Sequence, residues 1–130
     1  MARKRKLPTL SETQLEIMNI IWEHEECSVA AVWNVLKDRR GVSRNTIHTL
    51  IVRLEEKGWL THREGSNGFF YTATVSRGEV QRSSIETLID TVFNGSAESL
   101  VLTLLDGGPV SKAEAERIRQ LITKTRGRKS

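Results

Sequence analysis

The side chains best suited to contact another molecule lie on one face of a predicted helix over residues 43–57. This segment, SRNTIHTLIVRLEEK, has apolar residues at the i, i+3, i+4, i+7 spacing of a helix packed on one side: Ile47, Leu50, Ile51 and Leu54. At about 100° per residue, the outward face then carries Asn45, His48, Thr49, Val52 and Arg53. Their donors, acceptors and methyl groups match the edges of DNA bases. A solvated helix without a ligand would have the same periodicity, so the pattern alone leaves both interpretations open.

The residues before this helix predict a helix-turn-helix. Ser28 is a favoured N-cap residue, and it precedes an apolar stripe that a second helix would bury: Val29, Val32, Trp33 and Leu36. Residues 39–42 supply the turn, and Ser43 supplies the next N-cap. The free amides at the start of the helix, together with Arg44 and Asn45, are suited to bind a phosphate.

A β-hairpin is predicted after the helix. Gly58 is suited to end the helix, and residues 59–63 and 69–73 have the composition of two strands that flank a glycine-containing turn. We interpret this hairpin as a wing, with Arg63 and His62 as candidates for phosphate contact. For the aromatic residues we favour ordinary packing on the sheet over base stacking: Trp59, Phe69 and Tyr71.

Positive charge is concentrated at the ends of the chain and in the helix-turn-helix. Of the 20 basic residues, four lie at 3–6 and four at 124–129, which leaves 12 basic against 16 acidic residues over 7–123. Residues 37–63 are the exception within that acidic body, with seven basic residues and three acidic ones. The basic ends are either solubilising tails or arms that contact nucleic acid, and composition does not separate these alternatives.

The sequence lacks the residue arrangements that catalysis and metal binding require. Cys27 is the only cysteine, and His24, which lies among glutamates, has no second histidine four residues away. No nucleophile with an adjacent base and no phosphate-binding glycine loop is present. We therefore expect no enzymatic activity, no cofactor and no metal.

The cellular location is expected to be the cytoplasm. A single cysteine permits no intramolecular disulfide, which fits a reducing compartment. No apolar stretch has the length of a signal-peptide core or of a membrane span.

Past Ser76 the pattern becomes wholly helical. Residues 78–93 have helical apolar spacing, 96–105 are apolar on nearly every side, and Ser111 begins a third helix after a break. Three short helices are too few to enclose an all-round apolar segment, because small domains bury little of their surface without a partner.

A second copy of the chain is the simplest partner for this region. We predict a homodimer whose interface contains Leu88, Val92, Leu100, Val101, Leu104, Leu105, Ile118, Leu121 and Ile122. The alternative is that the helix over 96–105 packs against the chain's own helix-turn-helix.

The predicted fold class is mostly α with a small β wing, a winged helix-turn-helix followed by a helical dimerisation region. Its parts are a basic arm over 1–9, the winged helix over 10–76, the dimerisation region over 77–125 and a basic tail over 126–130.

Four segments resemble the penicillinase-repressor family of bacterial winged-helix regulators, which includes methicillin-resistance and copper-responsive repressors. They are LSETQLEIMNIIW at 10–22, VSRNTIHTLIVRL at 42–54, EKGWL at 56–60 and SLVL at 99–102. The resemblance extends over nearly the whole chain. Each segment is weak evidence by itself, and together they are fairly specific.

The resemblance implies a homodimeric repressor, acting in antibiotic-resistance regulation, that binds a palindromic operator with its third helix in the major groove. With the helix N-terminus and the wing included, the implied DNA contacts are Ser43, Arg44, Asn45, Thr46, His48, Thr49, Arg53 and Arg63. The remaining alternative is a winged-helix protein-interaction module without a DNA target, for which an exposed apolar outward face would argue.

Two signals that relieve repression in the family, metal binding and proteolysis, can be checked against this sequence. Copper-responsive members end in a cysteine-rich metal site, which this sequence lacks. Antibiotic-responsive members are cut by a membrane-bound metalloprotease receptor at an Asn-Phe bond in the dimerisation region. The aligned pair here is Thr103 and Leu104, so the bond differs from that of the family.

Overall fold

The protein, a computed structural model, is described from residue 7 to residue 129. Over that range it contains α1 (Glu12–His24), α2 (Val29–Arg40), α3 (Arg44–Glu56), β1 (Leu60–Gly65), β2 (Gly68–Ala73), α4 (Arg77–Thr91), α5 (Ala97–Leu105) and α6 (Lys112–Lys129). The predicted fold class, mostly helical with a small β wing, is confirmed. No helix in the described range is both long enough and apolar enough to cross a membrane.

The chain divides into two compact units between Val80 and Gln81. That division falls within α4, whereas the boundary expected after Ser76 coincides with the start of this helix. At the other end, α6 continues to Lys129, through most of the segment expected to be a tail. Lys and Arg are good helix formers, so a basic composition does not oppose this extension.

The first unit is organised round one apolar core. The fully buried side chains come from α1, α2 and α3: Ile17, Met18, Ile21, Val32, Leu36, Ile47, Ile51 and Leu54. Three buried residues of the wing complete the core: Trp59, Leu60 and Tyr71. The stripe predicted for α3 thus faces inward, with Leu50 partly buried at its edge.

The turn between α2 and α3 occupies residues 41–43, because α2 continues to Arg40. Gly41 ends α2 with φ at +63°, a left-handed conformation that glycine adopts without strain. The indole Nε1 of Trp33 donates to the Val42 carbonyl at 3.1 Å, which holds the turn against α2. Ser43 then caps α3, as predicted, because its hydroxyl accepts from the Thr46 N–H.

The end of α3 directs the chain into the wing. Gly58 has φ at +94°, its N–H donates to Glu55 O at 3.0 Å, and the Trp59 N–H donates to Leu54 O at 2.9 Å. These two bonds form a Schellman motif, which satisfies carbonyls at the helix end. The chain therefore turns sharply at Gly58 and inserts Trp59 into the core.

The wing is an antiparallel hairpin. Its strands pair from Leu60 with Ala73 to Gly65 with Gly68, leaving residues 66–67 as the loop. Tyr71 also forms a two-bond bridge with Cys27, with N···O distances of 3.0 and 2.7 Å. This bridge attaches β2 to the segment between α1 and α2.

The second unit has little core of its own over residues 81–125. Within that range Ala115 is the one buried side chain. Large apolar side chains are exposed on all three helices, among them Ile85 at 46%, Leu102 at 51% and Leu121 at 61%. A helical unit of this size with so much exposed apolar surface is not expected to be stable alone.

Candidate nucleic-acid interface

The outward face of α3 carries polar and cationic side chains that are all exposed: Arg44, Asn45, His48, Thr49 and Arg53. Among the side chains described, those of residues 7–125, these have neither a hydrogen-bond partner nor an ion-pair partner. Because the opposite stripe is buried, the helix cannot rotate to hide this face. Of the five side chains predicted to face outward, those of Asn45, His48, Thr49 and Arg53 are therefore available to a ligand, whereas Val52 is half-buried.

Ser43 and Thr46 have a different local role. The Ser43 hydroxyl accepts from the Thr46 N–H at 3.1 Å and lies 3.0 Å from the Thr46 hydroxyl. Both side chains are exposed, but their hydroxyls already bond to each other. They cap the helix and fix its first turn, from which Arg44 and Asn45 project.

The net positive charge of residues 37–63 is smaller at the surface than the sequence suggests. The Arg40 guanidinium lies 2.7 Å from Glu16 and 3.2 Å from Glu12. The hydrogen bond from Arg40 keeps the pKa of Glu16 below its usual value, despite an opposing contribution from desolvation. By contrast, Arg44 and Arg53 have no carboxylate partner in the part of the chain that the structure describes. The basic side chains of Arg44 and Arg53 on α3 are therefore available to attract a phosphate.

The two basic residues of the wing point to opposite faces of the hairpin, as consecutive strand residues must. His62 Nδ1 lies 2.6 Å from a carboxylate oxygen of Glu55, at the end of α3, and its ring stacks on Phe69 at 4.3 Å. Arg63 contacts Glu26, in the segment between α1 and α2, at 2.7 and 2.9 Å. Two carboxylates from different elements thus hold the wing on its two faces.

The ion pair with Arg63 also changes the pKa of Glu26. Hydrogen bonds from Arg63 lower the pKa of the Glu26 carboxyl, although partial desolvation acts in the opposite direction. The sequence predicts Arg63 and His62 as candidates for phosphate contact, but it does not predict their glutamate partners. Strand alternation signals that residues 62 and 63 face opposite sides, but no local pattern identifies partners that come from other elements.

Two of the three aromatic residues that were expected to pack on the sheet do so. Trp59 and Tyr71 are buried in the core, which confirms their structural role. Burial raises the pKa of Tyr71, and the nearby Glu55 charge adds to this shift. Phe69 instead remains exposed and stacks on His62, because the hairpin end extends beyond the core.

The basic segment 3–6 lies outside the described residues, but its point of attachment is described. The Trp59 indole donates to the Pro8 carbonyl at 3.0 Å, and Leu7 packs against the core cluster. Residues 7 and 8 therefore lie beside the junction of α3 and β1.

No cluster of three or more His, Cys, Asp or Glu residues suited to a metal occurs among the described residues. Cys27 is buried, and desolvation followed by the Glu26 charge raises the pKa of its thiol. A thiol in that state is a weak nucleophile, so the surroundings of Cys27 do not support a catalytic role.

The chain was compared with known protein families and curated proteins. A family described as penicillinase repressor matches residues 10–124. The penicillinase repressor of Bacillus licheniformis is 28% identical over 125 residues, which cover 96% of this chain and 98% of the relative. The methicillin resistance regulatory protein MecI of Mammaliicoccus sciuri is 30% identical over 115 residues, 88% of this chain and 94% of the relative.

The first unit also has a counterpart among solved structures. It is similar to the solution structure of the monomeric form of Bacillus licheniformis BlaI in complex with the blaP half-operator, with a TM-score of 0.50 and 32% identity. The match covers 57% of this chain and 90% of that chain.

Proposed function

The chain belongs to the penicillinase repressor family and is a DNA-binding transcriptional repressor rather than an enzyme, and we propose that it binds a palindromic operator as a homodimer. The observation that carries this proposal is the outward face of α3, which is exposed, polar and unpaired among the described residues. The related BlaI domain was solved with a half-operator, which supports the same class of ligand here. Such a function puts the protein in the cytoplasm, with the DNA.

We assign the base contacts to the middle of α3 and the phosphate contacts to its ends and the wing. His48 and Thr49 project from the middle of the outward face, where a helix in the major groove approaches base edges. Contacts to the sugar-phosphate backbone are assigned to the start of α3, to its basic side chains and to the wing: Ser43, Arg44, Asn45, Thr46, Arg53 and Arg63. A protein-interaction module would instead present an apolar outward face.

The second unit supports the homodimer. Its predicted interface residues are partly or largely exposed in the single chain: Leu88, Val92, Leu100, Val101, Leu104, Leu105, Ile118, Leu121 and Ile122. An isologous interface would bury them in pairs and thereby supply the core that residues 81–125 lack. Two copies of α3 would then contact two half-sites, which explains why a palindrome is the proposed target.

Release of repression is proposed to occur by cleavage between Thr103 and Leu104, by a membrane-bound metalloprotease sensor. This bond lies in the last turns of α5, where the Thr103 hydroxyl donates to the Ser99 carbonyl. Gly108 lies so close to the carbonyls of both residues that a side chain there would collide with them. Cleavage therefore requires this end of α5 to unwind first.

The assignment of base contacts predicts that His48→Ala and Thr49→Ala relax sequence preference at defined positions of the operator. Each should reduce discrimination against the wrong base by about 1 to 3 kcal/mol. Arg63→Ala should weaken binding to all sequences alike, because a phosphate contact carries no sequence information. Selection of binding sites from random duplex DNA measures both effects.

Arg82→Ala is the matched control for the lost charge, because Arg82 is exposed on α4, away from α3 and the wing in the sequence. The assignment is contradicted if Arg63→Ala alters preference at particular bases while His48→Ala and Thr49→Ala weaken all sites equally.

The proposed interface predicts that Leu104→Asp converts a dimer into a monomer, because an unpaired charge in an apolar interface is strongly unfavourable. Sedimentation of the full chain at micromolar concentration measures the mass. Thr103→Asp, which adds the same charge at the neighbouring exposed polar position, should perturb the dimer less. A monomeric parent protein, with Leu104→Asp unchanged in mass and stability, would rule out this dimer.

Proteolytic release predicts that repressor recovered from cells after induction by a cell-wall antibiotic contains two fragments that meet between residues 103 and 104. Intact-mass spectrometry before and after induction detects them. A cut inside the second unit would also separate the dimer and so remove bivalency, which lowers avidity by about 10²- to 10⁴-fold. Recovery of uncut protein while the target gene is expressed would exclude this route.

A further inference from the structure

Arg63 is held more firmly than an exposed arginine of a hairpin normally is. Its Nε and Nη2 atoms donate to the two carboxylate oxygens of Glu26 at 2.7 and 2.9 Å. Its guanidinium carbon also lies 4.9 Å from the ring centre of Phe70, its cross-strand partner. That ring in turn lies against Gly65, where a Cβ atom would collide with it. The guanidinium is thus fixed by a fork of hydrogen bonds and by an aromatic face.

This arrangement leaves part of the guanidinium free. A guanidinium has five N–H donors, and the side-on pair with Glu26 uses one on Nε and one on Nη2. The Nη1 group has no hydrogen-bond partner within residues 7–125. The Arg63 side chain is 59% exposed, so its unused donors remain accessible.

We propose that Glu26 is a positioning residue whose carboxylate holds Arg63 so that its free N–H groups are presented to a phosphate of bound duplex DNA. The proposal rests on the proposed DNA-binding function. It assigns a part in that function to a residue, Glu26, that does not itself contact DNA. Glu26 is suited to this role because the adjacent Cys27 is fixed by its backbone bridge to Tyr71 of the wing.

Two opposing effects decide whether Glu26 strengthens or weakens the binding of DNA. Its negative charge repels the phosphate, but in water at physiological salt this screened repulsion changes affinity by only about twofold. Ordering a free arginine on binding weakens affinity by about two- to tenfold. Since Glu26 and Phe70 order Arg63 before DNA arrives, the ordering effect prevails and Glu26 strengthens binding.

The test compares variants of the full chain that remove the charge with variants that also remove the acceptors. Affinity is measured at about 0.15 M salt for a mixed-sequence duplex, since phosphate contacts do not require the operator. We expect Glu26→Ala to weaken binding by up to about fivefold, because relief of the phosphate repulsion offsets about twofold of the loss of ordering. Glu26→Gln removes the same charge but keeps one acceptor oxygen, so its effect should be smaller. Glu25→Ala, which removes a neighbouring exposed carboxylate, should not weaken binding.

A double-mutant cycle separates positioning from a general effect on the fold. We expect Glu26→Ala to have no further effect when Arg63 is already alanine, and to leave the melting temperature close to that of the parent. The proposal is overturned if Glu26→Ala binds as tightly as the parent or more tightly, or if its loss persists in the Arg63→Ala background. It is also overturned if the Gln and Ala variants change affinity equally. If the parent itself does not bind duplex DNA, the proposed function fails and this inference fails with it.

Discussion

Burial of one stripe of α3 is the constraint on which the rest of the first unit depends. Ile47, Ile51 and Leu54 are fully inaccessible to solvent, and burial of each such side chain contributes about 1.5 to 3 kcal/mol. Rotating the helix would expose this stripe and bury cationic side chains, so the helix has one orientation. The opposite face, which includes His48 and Thr49, consequently points outward, although its side chains make no contacts that fix the helix. The core therefore positions the surface that contacts DNA.

The sequence was sufficient to predict features that depend on neighbouring residues. Periodicity identified the buried stripe of α3, the side-chain hydroxyl of Ser43 identified its start, and Gly58 identified its end. Each signal is local, because a helix face, an N-cap and a Schellman turn involve residues within a few positions of one another. The same periodicity predicts which residues of α3 lie on its outward face.

The ion pairs of the candidate site could not be predicted in the same way. Arg63 and Glu26 are 37 residues apart in the sequence, and Arg40 and Glu16 are 24 apart. Their contacts arise only after the helices and the wing have packed, and a glutamate in a loop gives no local sign of its partner. Counting charges along residues 37–63 therefore overestimated the free positive charge. Two of the seven basic residues in that range, Arg40 and Arg63, are already paired with glutamates that lie outside it.

Recognition of bases in duplex DNA by the outward face of α3 can be tested by NMR of the isotope-labelled full chain. The protein is titrated with a duplex selected from random DNA and, separately, with a mixed-sequence duplex. We expect the signals of residues 43–53 to shift with both duplexes and to differ most between them near His48 and Thr49. Shifts confined to residues 81–125, or identical α3 shifts with the two duplexes, would contradict base recognition by α3.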